Sequence, residues 1–457
     1  MRRGRAGRCL FASILVAAAS QFAFDSRAFA VDLLGAYRLA ISSDPTIESH
    51  RQDLLANLEK VPEARSALLP SLSASSDLGR TAGPVTYTGS PTVHRTFSTV
   101  SWTAQLSVPL LRMQSVDAYR ESDRLATQAR AQFALAQEDL ILRVAKAYFD
   151  ALAAEEALTA ADSKVQAMKE QQVLAKRSFE TGVGSITDED EAASKAALAR
   201  FDQIAAQTDL DSKRAELEKI VGPLGGETLA RLRENAILNL PEPLDANVWI
   251  EQAMRENPNV VGLRAAIDAA QLEVERAKAQ RVPTVDLVGS FGRNFTSGDN
   301  TNPLDFATNA KSKQGMIQFN MPIVDGGAIQ AQIREARAKQ AKAEADLEVA
   351  RRQAAVDARA AFRGAQGGLS QIEALQAALD ASIRSIAGNQ AGYRVGVRIN
   401  SDVLASEQQR FAAQRDLAKA KYDVLMQELK LKAAAGSLQS EDLVSLSNLF
   451  VSSPTPR

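Results

Sequence analysis

Residues 97–108 read Phe97-Ser98-Thr99-Val100-Ser101-Trp102-Thr103-Ala104-Gln105-Leu106-Ser107-Val108. Apolar side chains occupy every second position from Val100 onward and polar ones lie between them, which is the period of a β-strand. From Leu110 to Thr181 the chain then contains neither glycine nor proline. This predicts a helix of roughly 70 residues, about 105 Å long at 1.5 Å per residue. A strand followed directly by so long a helix indicates a mainly α-helical fold that also contains a β-sheet.

The same arrangement occurs twice. Its landmarks recur at an offset of 213 residues and, farther along the chain, of 214. The pairs are Asp44-Pro45 with Asn257-Pro258, Pro70 with Pro283, Gly79-Arg80 with Gly292-Arg293, Pro109 with Pro322, Tyr148 with Phe362, Gly182-Val183 with Gly396-Val397, Asp188 with Asp402, and Gly222 with Gly436. We interpret the chain as a tandem duplication of a unit of roughly 200 residues.

Each copy begins with a shorter helix, predicted over 46–69 and 259–282, and continues with two alternating strands of about ten residues. The strand pairs span about 71–108 and 284–321, with polar connections over 80–94 and 294–311. Two interpretations remain open for these strands. They form either an amphipathic sheet on a soluble core or part of a transmembrane β-barrel, whose strands cross the bilayer in about ten residues. Four strands do not close a barrel, so several chains would have to share one.

Composition restricts the function. The 457 residues include 54 basic and 55 acidic side chains, so no basic excess indicates nucleic-acid binding. Two histidines and one cysteine leave few groups for zinc binding or for thiol and imidazole catalysis. A secreted enzyme that works through carboxylate pairs is disfavoured, because the acidic residues alternate with basic ones in the pattern of solvated helix faces. We expect neither enzyme activity nor a cofactor.

Residues 1–30 have the three parts of a secretory signal peptide. Four arginines precede an apolar stretch from Cys9 to about Phe24, and Ala28-Phe29-Ala30 is a cleavage signature. Cleavage after Ala30 would leave 49 basic and 54 acidic residues and no cysteine. The mature protein is therefore expected to be exported, acidic and free of disulfides.

Two glycine-containing turns interrupt the long helical stretches. Residues 179–188 contain Gly182, which suits the position after a helix C-cap, and Thr187 with Asp190 is typical of a cap for the next helix. Residues 393–404 repeat the turn around Gly396. We interpret both as the tips of helical hairpins.

With these features the chain resembles the TolC family of outer-membrane efflux and secretion ducts along its whole mature length. The resemblance depends on Asn/Asp-Pro before the first helix of each copy, on the paired Val/Thr-Gly tips, on Glu63-Ala64-Arg65-Ser66-Ala67-Leu68-Leu69-Pro70 and on Pro322-Ile323-Val324-Asp325-Gly326-Gly327. It implies a mainly α-helical coiled-coil barrel continuous with a transmembrane twelve-stranded β-barrel, to which each chain of a homotrimer contributes four strands. The repeats would span 31–240, with long helices over about 110–221, and 241–436, with long helices over about 326–435. Residues 437–457 would form an equatorial segment and tail.

The resemblance also implies a passive duct in the outer membrane with its helical tunnel in the periplasm. A periplasmic adaptor and an inner-membrane pump of the ABC or RND type would recruit it for type I protein secretion, multidrug efflux or both. The chain contains no phosphate-binding loop, so energy would come from the pump. The alternative is a soluble periplasmic coiled-coil adaptor or structural protein. No residue indicates the cargo.

In the resembling ducts the periplasmic end closes at the hairpin tips. Matching by motif position implies links from Tyr393 to Asp188 and from Arg398 to Thr187, and a constricting ring of Asp402. The family's second aspartate, one helical turn later, is replaced here by Ala405, although Glu407 is close in sequence. This departure leaves open whether the gate has one ring or two.

Overall fold

The computed structural model describes residues 31–451 except Val183, Gly226, Glu234, Asn302, Pro303 and Gly396. The expected signal peptide, the end of the tail and Gly396 of the second tip therefore lie outside the described residues. The elements are α1 (Leu33–Ser43), α2 (Pro45–Ser66), β1 (Ser71–Val85), β2 (Val93–Leu111), α3 (Met113–Glu180), α4 (Ile186–Val221), β3 (Arg231–Leu232), α5 (Ala246–Glu256), α6 (Pro258–Ala279), β4 (Thr284–Thr296), β5 (Thr308–Asn320), α7 (Ala328–Arg394), α8 (Asn400–Ala434), α9 (Ser440–Ser447) and β6 (Phe450–Val451).

The long helices and the internal repeat are confirmed. Helices α3 and α7 contain 68 and 67 residues, and each folds back through a short turn onto α4 or α8. Proline begins both α2 and α6, at Pro45 and Pro258, where its missing N–H costs no helical hydrogen bond. These shorter helices end at Ser66 and Ala279, three residues before the predicted ends, because the chain then forms tighter turns ahead of Pro70 and Pro283. Within the described ranges, none of the helices combines the length and apolar character needed to cross a membrane.

The four long strands form one antiparallel sheet in the order β1-β2-β4-β5. They contain 15, 19, 13 and 13 residues, so the predicted length of about ten was too short. The connections correspondingly shrink to residues 86–92 and 297–307. The strands continue through glycines and polar residues because backbone pairing, not side-chain hydrophobicity, sets their ends.

The cross-strand register places the alternating side chains on two distinct faces. Val100 is opposite both Leu78 and Phe295, and Leu106 is opposite Leu72. The residues between them, such as Ser101 opposite Asp77, are polar. We refer to the two sides as the apolar face and the polar face of the sheet.

Helix packing depends on small residues. The buried positions in the middle of α7 are mostly alanines, at 350, 354, 358, 361 and 365, and this spacing follows one face of a helix. At Gly368 a Cβ atom would lie 2.5 Å from Cγ2 of Val424 on α8. Only glycine therefore permits so close an approach of α7 and α8 at this point.

The largest apolar core joins α1, α3, α8 and α9 near the middle of the helical body. Phe149 stacks on Phe450 and on Tyr422, with ring centroids 6.1 and 5.9 Å apart. The buried Tyr148 hydroxyl shares its one proton between the carbonyl oxygens of Val31, at 2.9 Å, and Ala230, at 3.0 Å. The C-terminal segment, including α9 and the β6 strand that pairs with β3, thus packs onto the long helices.

Candidate gate at the hairpin tips

The tip between α3 and α4 is a tight turn closed by a capping box. Gly182 has a φ of +77°, in the left-handed region that favours glycine. The Ser185 hydroxyl accepts a hydrogen bond from the Thr187 N–H at 3.2 Å, and the Asp188 carboxylate accepts one from the Ser185 N–H at 3.4 Å. The predicted cap at Thr187 was therefore wrong. The helix begins at Ile186, and Ser185 is the N-cap.

In the tip between α7 and α8, backbone hydrogen bonds to Gly392 close the turn. The carbonyl oxygen of Gly392 accepts hydrogen bonds from the N–H groups of Val397 and Arg398 at 2.9 and 3.2 Å. A Cβ atom at Gly392 would lie 2.7 Å from the Cγ of Arg398, so the arginine stem occupies the space that glycine leaves free. Three apolar side chains remain exposed on this tip, those of Val395, Val397 and Ile399.

Asp402 lies in the first turn of α8 and is held from two sides. Its Oδ2 is 3.5 Å from Nη1 of Arg398, and both side chains are partly exposed. Its backbone carbonyl accepts hydrogen bonds from Asn389 Nδ2 at 3.3 Å and from Ser406 Oγ at 2.7 Å. A carboxylate in the first turn also interacts favourably with the helix dipole. The position of Asp402 is thus fixed by α7 as well as by its own helix.

Asn400 connects the two hairpins, and the sequence analysis did not identify this role. Its side chain is fully buried. The Asn400 Oδ1 accepts a hydrogen bond from Gln171 of α3, and its Nδ2 donates to the backbone carbonyl of Asp188 at 3.4 Å. These contacts join α3, α4 and α8 through one amide. The sequence offers no local signal for them because Gln171 and Asn400 lie 229 positions apart.

The described part of this chain contains no hydrogen bond or ion pair between Tyr393 and Asp188 or between Arg398 and Thr187. Arg398 contacts Asp402 instead, and the Thr187 hydroxyl lies 2.7 Å from that of Ser185. The two hairpins still meet at Asp188, through its backbone carbonyl. The links predicted from the resemblance stay a prediction.

Glu407, the acidic residue closest in position to the absent second aspartate, is buried. Its carboxylate lies 3.1 Å from Nη2 of Arg410, whose guanidinium lies over the Phe411 ring. Burial raises the pKa of Glu407, the Arg410 charge lowers it, and the nearby charge of Glu170 raises it further. Because it faces neighbouring helices, Glu407 does not replace the second aspartate as an exposed acidic group in this chain.

Comparison with known proteins shows the family of this chain. The model of a family described as "Outer membrane efflux protein" matches residues 36–223 and 249–437, the two halves of the repeat. The chain belongs to the outer membrane efflux protein family. It is 31% identical to the alkaline protease secretion protein AprF of Pseudomonas aeruginosa, covering 94% of this chain and 89% of AprF. It is 28% identical to the outer membrane protein TolC of Escherichia coli, over 93% of this chain and 86% of TolC.

Solved structures of outer-membrane channels have the same fold. The Campylobacter jejuni CmeC outer membrane channel superposes with a TM-score of 0.74 at 17% identity, over 91% of this chain and 89% of that one. The outer-membrane channel OprN superposes with a TM-score of 0.75 at 18% identity, over 89% and 90%. This member of the efflux protein family is an outer-membrane exit duct. Family membership decides against the soluble periplasmic adaptor.

Proposed function

We propose that three copies of this duct close one twelve-stranded β-barrel that continues into a helical tunnel. The observation that carries this proposal is the four-stranded sheet. In this sheet, the edge strands β1 and β5 each have a partner on one side only. Unpaired backbone groups are not tolerated in lipid, so the free edge of β5 needs a β1 from another copy. Three sheets of four strands give an even number within the range of bacterial outer-membrane barrels.

Mass and membrane attachment test this assembly. The full-length protein, expressed with its leader, should stay in the outer membrane after a carbonate wash, and the detergent-purified complex should have three times the mass of the mature chain by light scattering. A monomeric mass for protein extracted from the membrane would contradict the trimer. Release by the carbonate wash would contradict the membrane-embedded barrel itself.

In the proposed gate, the Asp402 side chains of three copies form a ring at the narrow end of the tunnel. Tyr393 and Arg398 would hold this hairpin tip against Thr187 and Asp188 of the other hairpin. Support comes from the proximity of the hairpins at Asn400 and Asp188, and from the position of Arg398 beside Asp402. Exposed polar links contribute only about 0.2–1 kcal/mol each. A docking partner could therefore open a closure made of a few such links in each of three copies.

Conductance tests the gate. We expect the double variant Arg398→Ser, Tyr393→Phe to show a higher single-channel conductance in planar bilayers than the unmodified duct. The control is Arg394→Ser, because Arg394 is exposed and its side chain makes no hydrogen bond or ion pair in the described part of the chain. Equal conductance of the double variant and the control would exclude these residues from the closure.

A periplasmic adaptor and an inner-membrane ABC or RND-type pump would recruit the duct. The exposed Val395, Val397 and Ile399 offer an apolar docking surface at the tip, where a helical adaptor could bind. The name of AprF refers to protease secretion, and that of another relative, TtgC of Pseudomonas putida, to toluene efflux. We therefore propose protein secretion, drug efflux or both. Deletion of the gene, followed by assays of the secreted proteins and of drug sensitivity, separates these cargoes.

A further inference from the structure

The apolar face of the sheet carries positive charges toward the strand ends that are joined by the loops. The cross-strand pairs place Arg293 opposite Lys311, and Phe291 opposite Lys313, all on the apolar face. These three cations, Arg293, Lys311 and Lys313, are exposed, and we name them the basic cluster. They lie on the loop side of the apolar residues Leu287 and Ile317. The distribution of charge on this face is thus uneven along the strands.

No carboxylate of the described sheet balances this cluster. On the apolar face of β1, β2, β4 and β5 there is no aspartate or glutamate, since Asp77 and Asp286 lie on the polar face. Arg293 Nε donates to the neutral Asn309 amide oxygen at 2.8 Å, and Lys313 Nζ lies 5.7 Å from the Phe291 ring centroid. Like charges directly opposite each other in a sheet are destabilising. An anion from outside the chain would relieve the repulsion between Arg293 and Lys311.

In the proposed barrel, the neighbouring aromatic residues would place this cluster near a membrane interface. Trp102 lies directly opposite Arg293, and its ring packs edge-on against Phe291 with centroids 5.2 Å apart. In outer-membrane barrels such aromatic residues form girdles at the edges of an apolar band about 25 Å tall. The apolar alternation of β2 runs from Val100 to Leu111, which at about 3.4 Å per residue and a tilt of about 40° spans roughly 28 Å. The loop-side end of the band is at Val100, two residues beyond Trp102 on β2, so the basic cluster lies just inside that end.

A shallow groove continues from the cluster along the apolar face. It has a volume of about 740 Å³, and Lys313 lies at its loop side. Gly289 and Gly315 face each other across β4 and β5, and space is open where their side chains would be. Its other walls on the apolar face are Leu72, Ala104, Leu106 and Phe291. The groove suits a hydrocarbon chain, and the cations next to it suit phosphate.

We propose that this surface binds a phosphorylated glycolipid of the outer leaflet, with one acyl chain in the groove and its phosphate on the basic cluster. The inference depends on the proposed barrel, in which the apolar face meets lipid and the loops face the cell exterior. Lys and Arg carry charge-assisted hydrogen bonds to phosphate oxygens, and Arg293 can offer two parallel donors. Each of the three subunits would contribute one such site.

Binding by the full-length trimer in detergent tests the proposal. The probes are lipid A with both phosphates, the same lipid after phosphatase treatment, and phosphatidylglycerol, each titrated by native mass spectrometry. We expect the phosphorylated lipid A to bind at least tenfold more tightly than the dephosphorylated form and than phosphatidylglycerol. Equal affinity for both forms of lipid A would overturn the phosphate assignment. Equal or tighter binding of phosphatidylglycerol would overturn the glycolipid assignment.

A charge-removing pair of variants locates the site. Lys311→Gln with Lys313→Gln should lose most of the preference for phosphorylated lipid A, whereas the matched pair Lys339→Gln with Lys342→Gln, on exposed lysines of α7, should retain it. Retention of the preference by the first pair would overturn the assignment to this cluster. The titrations of the unmodified trimer test the lipid preference even if one of the variants fails to fold. If the unmodified protein is released from the membrane by the carbonate wash, the proposed barrel fails; if a membrane-embedded trimer shows no lipid preference, only this inference fails.

Discussion

At the scale of single residues, the contact between the two hairpins involves one buried amide, that of Asn400. Replacing Asn400 by leucine keeps a similar volume but removes the acceptor for Gln171 and the donor to the Asp188 carbonyl. A buried polar group left without a partner costs about 1–3 kcal/mol. We expect Asn400→Leu to loosen the contact between the hairpins and to raise single-channel conductance. The adjacent Ser401→Ala, whose hydroxyl makes no hydrogen bond in the described part of the chain, is the control, and equal conductance of the two variants would contradict the role of Asn400.

A second residue-scale effect concerns Glu138 on α3. Its side chain is buried beside a cavity of about 1050 Å³ between α2, α3, α7 and α8, and it has neither a hydrogen-bond partner nor an ion pair in the described part of the chain. Other ionisable groups around the cavity are His50, Asp53, Asp139, Asp357 and Lys430. Burial raises the pKa of Glu138 from 4.5 to about 8. The folded state therefore favours the neutral acid, and stability falls as the pH rises from about 4.5 to 8.

Glu138→Gln removes this penalty, which is about 1.4 kcal/mol for each unit by which the pKa is raised. We expect the variant to unfold at a higher temperature than the unmodified protein at pH 8 and at a similar temperature at pH 4.5, as measured by circular dichroism in detergent. The exposed Glu59→Gln on α2 is the control. A stabilisation by Glu138→Gln that is the same at both pH values would show that ionisation of Glu138 is not its cause.

At the scale of elements, two adjacent glycines in α7 provide a matched comparison. A Cβ atom at Gly368 would lie 2.5 Å from Val424, whereas a Cβ atom at Gly367 would meet nothing within 4 Å. Alanine in an exposed helix position is favoured over glycine by about 0.5–1 kcal/mol. Gly367→Ala should therefore raise the thermal unfolding temperature, and Gly368→Ala should lower it by forcing α7 and α8 apart. Equal shifts in the same direction would show that close packing is not decisive at this point.

The elements also show how far sequence reasoning extends. The absence of glycine and proline predicted the helix over Met113–Glu180 because helix formation is a local property of the backbone. The alternation in residues 97–108 predicted the two faces of the sheet, because side-chain alternation is likewise a local property of the extended backbone. The strand ends and the cap at Ser185 were missed. They depend on which backbone groups find partners, and several side chains at the turn could have served as a cap.

At the scale of the whole molecule, the proposed ring of Asp402 has properties that a single chain does not have. Three carboxylates near one axis would repel one another and attract cations, as rings of acidic residues do in cation channels. We expect millimolar Mg²⁺, added on the tip side, to reduce the current through the unmodified duct and to have less effect on Asp402→Asn. Asp416→Asn, also on α8 and partly exposed, is the control. Identical inhibition of all three proteins would exclude a ring at Asp402.

The sequence by itself determined the repeat, the long helices and the alternating strands, and the family resemblance that follows from them, because each is encoded in the order of neighbouring residues. Tertiary structure alone decided that Asn400 joins Gln171 to Asp188, that Glu407 is buried, and that Arg293, Lys311 and Lys313 share the apolar face with Trp102. These contacts join residues on different elements. Their formation depends on the rotation of each helix about its axis and on the register of each strand pair, which local periodicity does not fix.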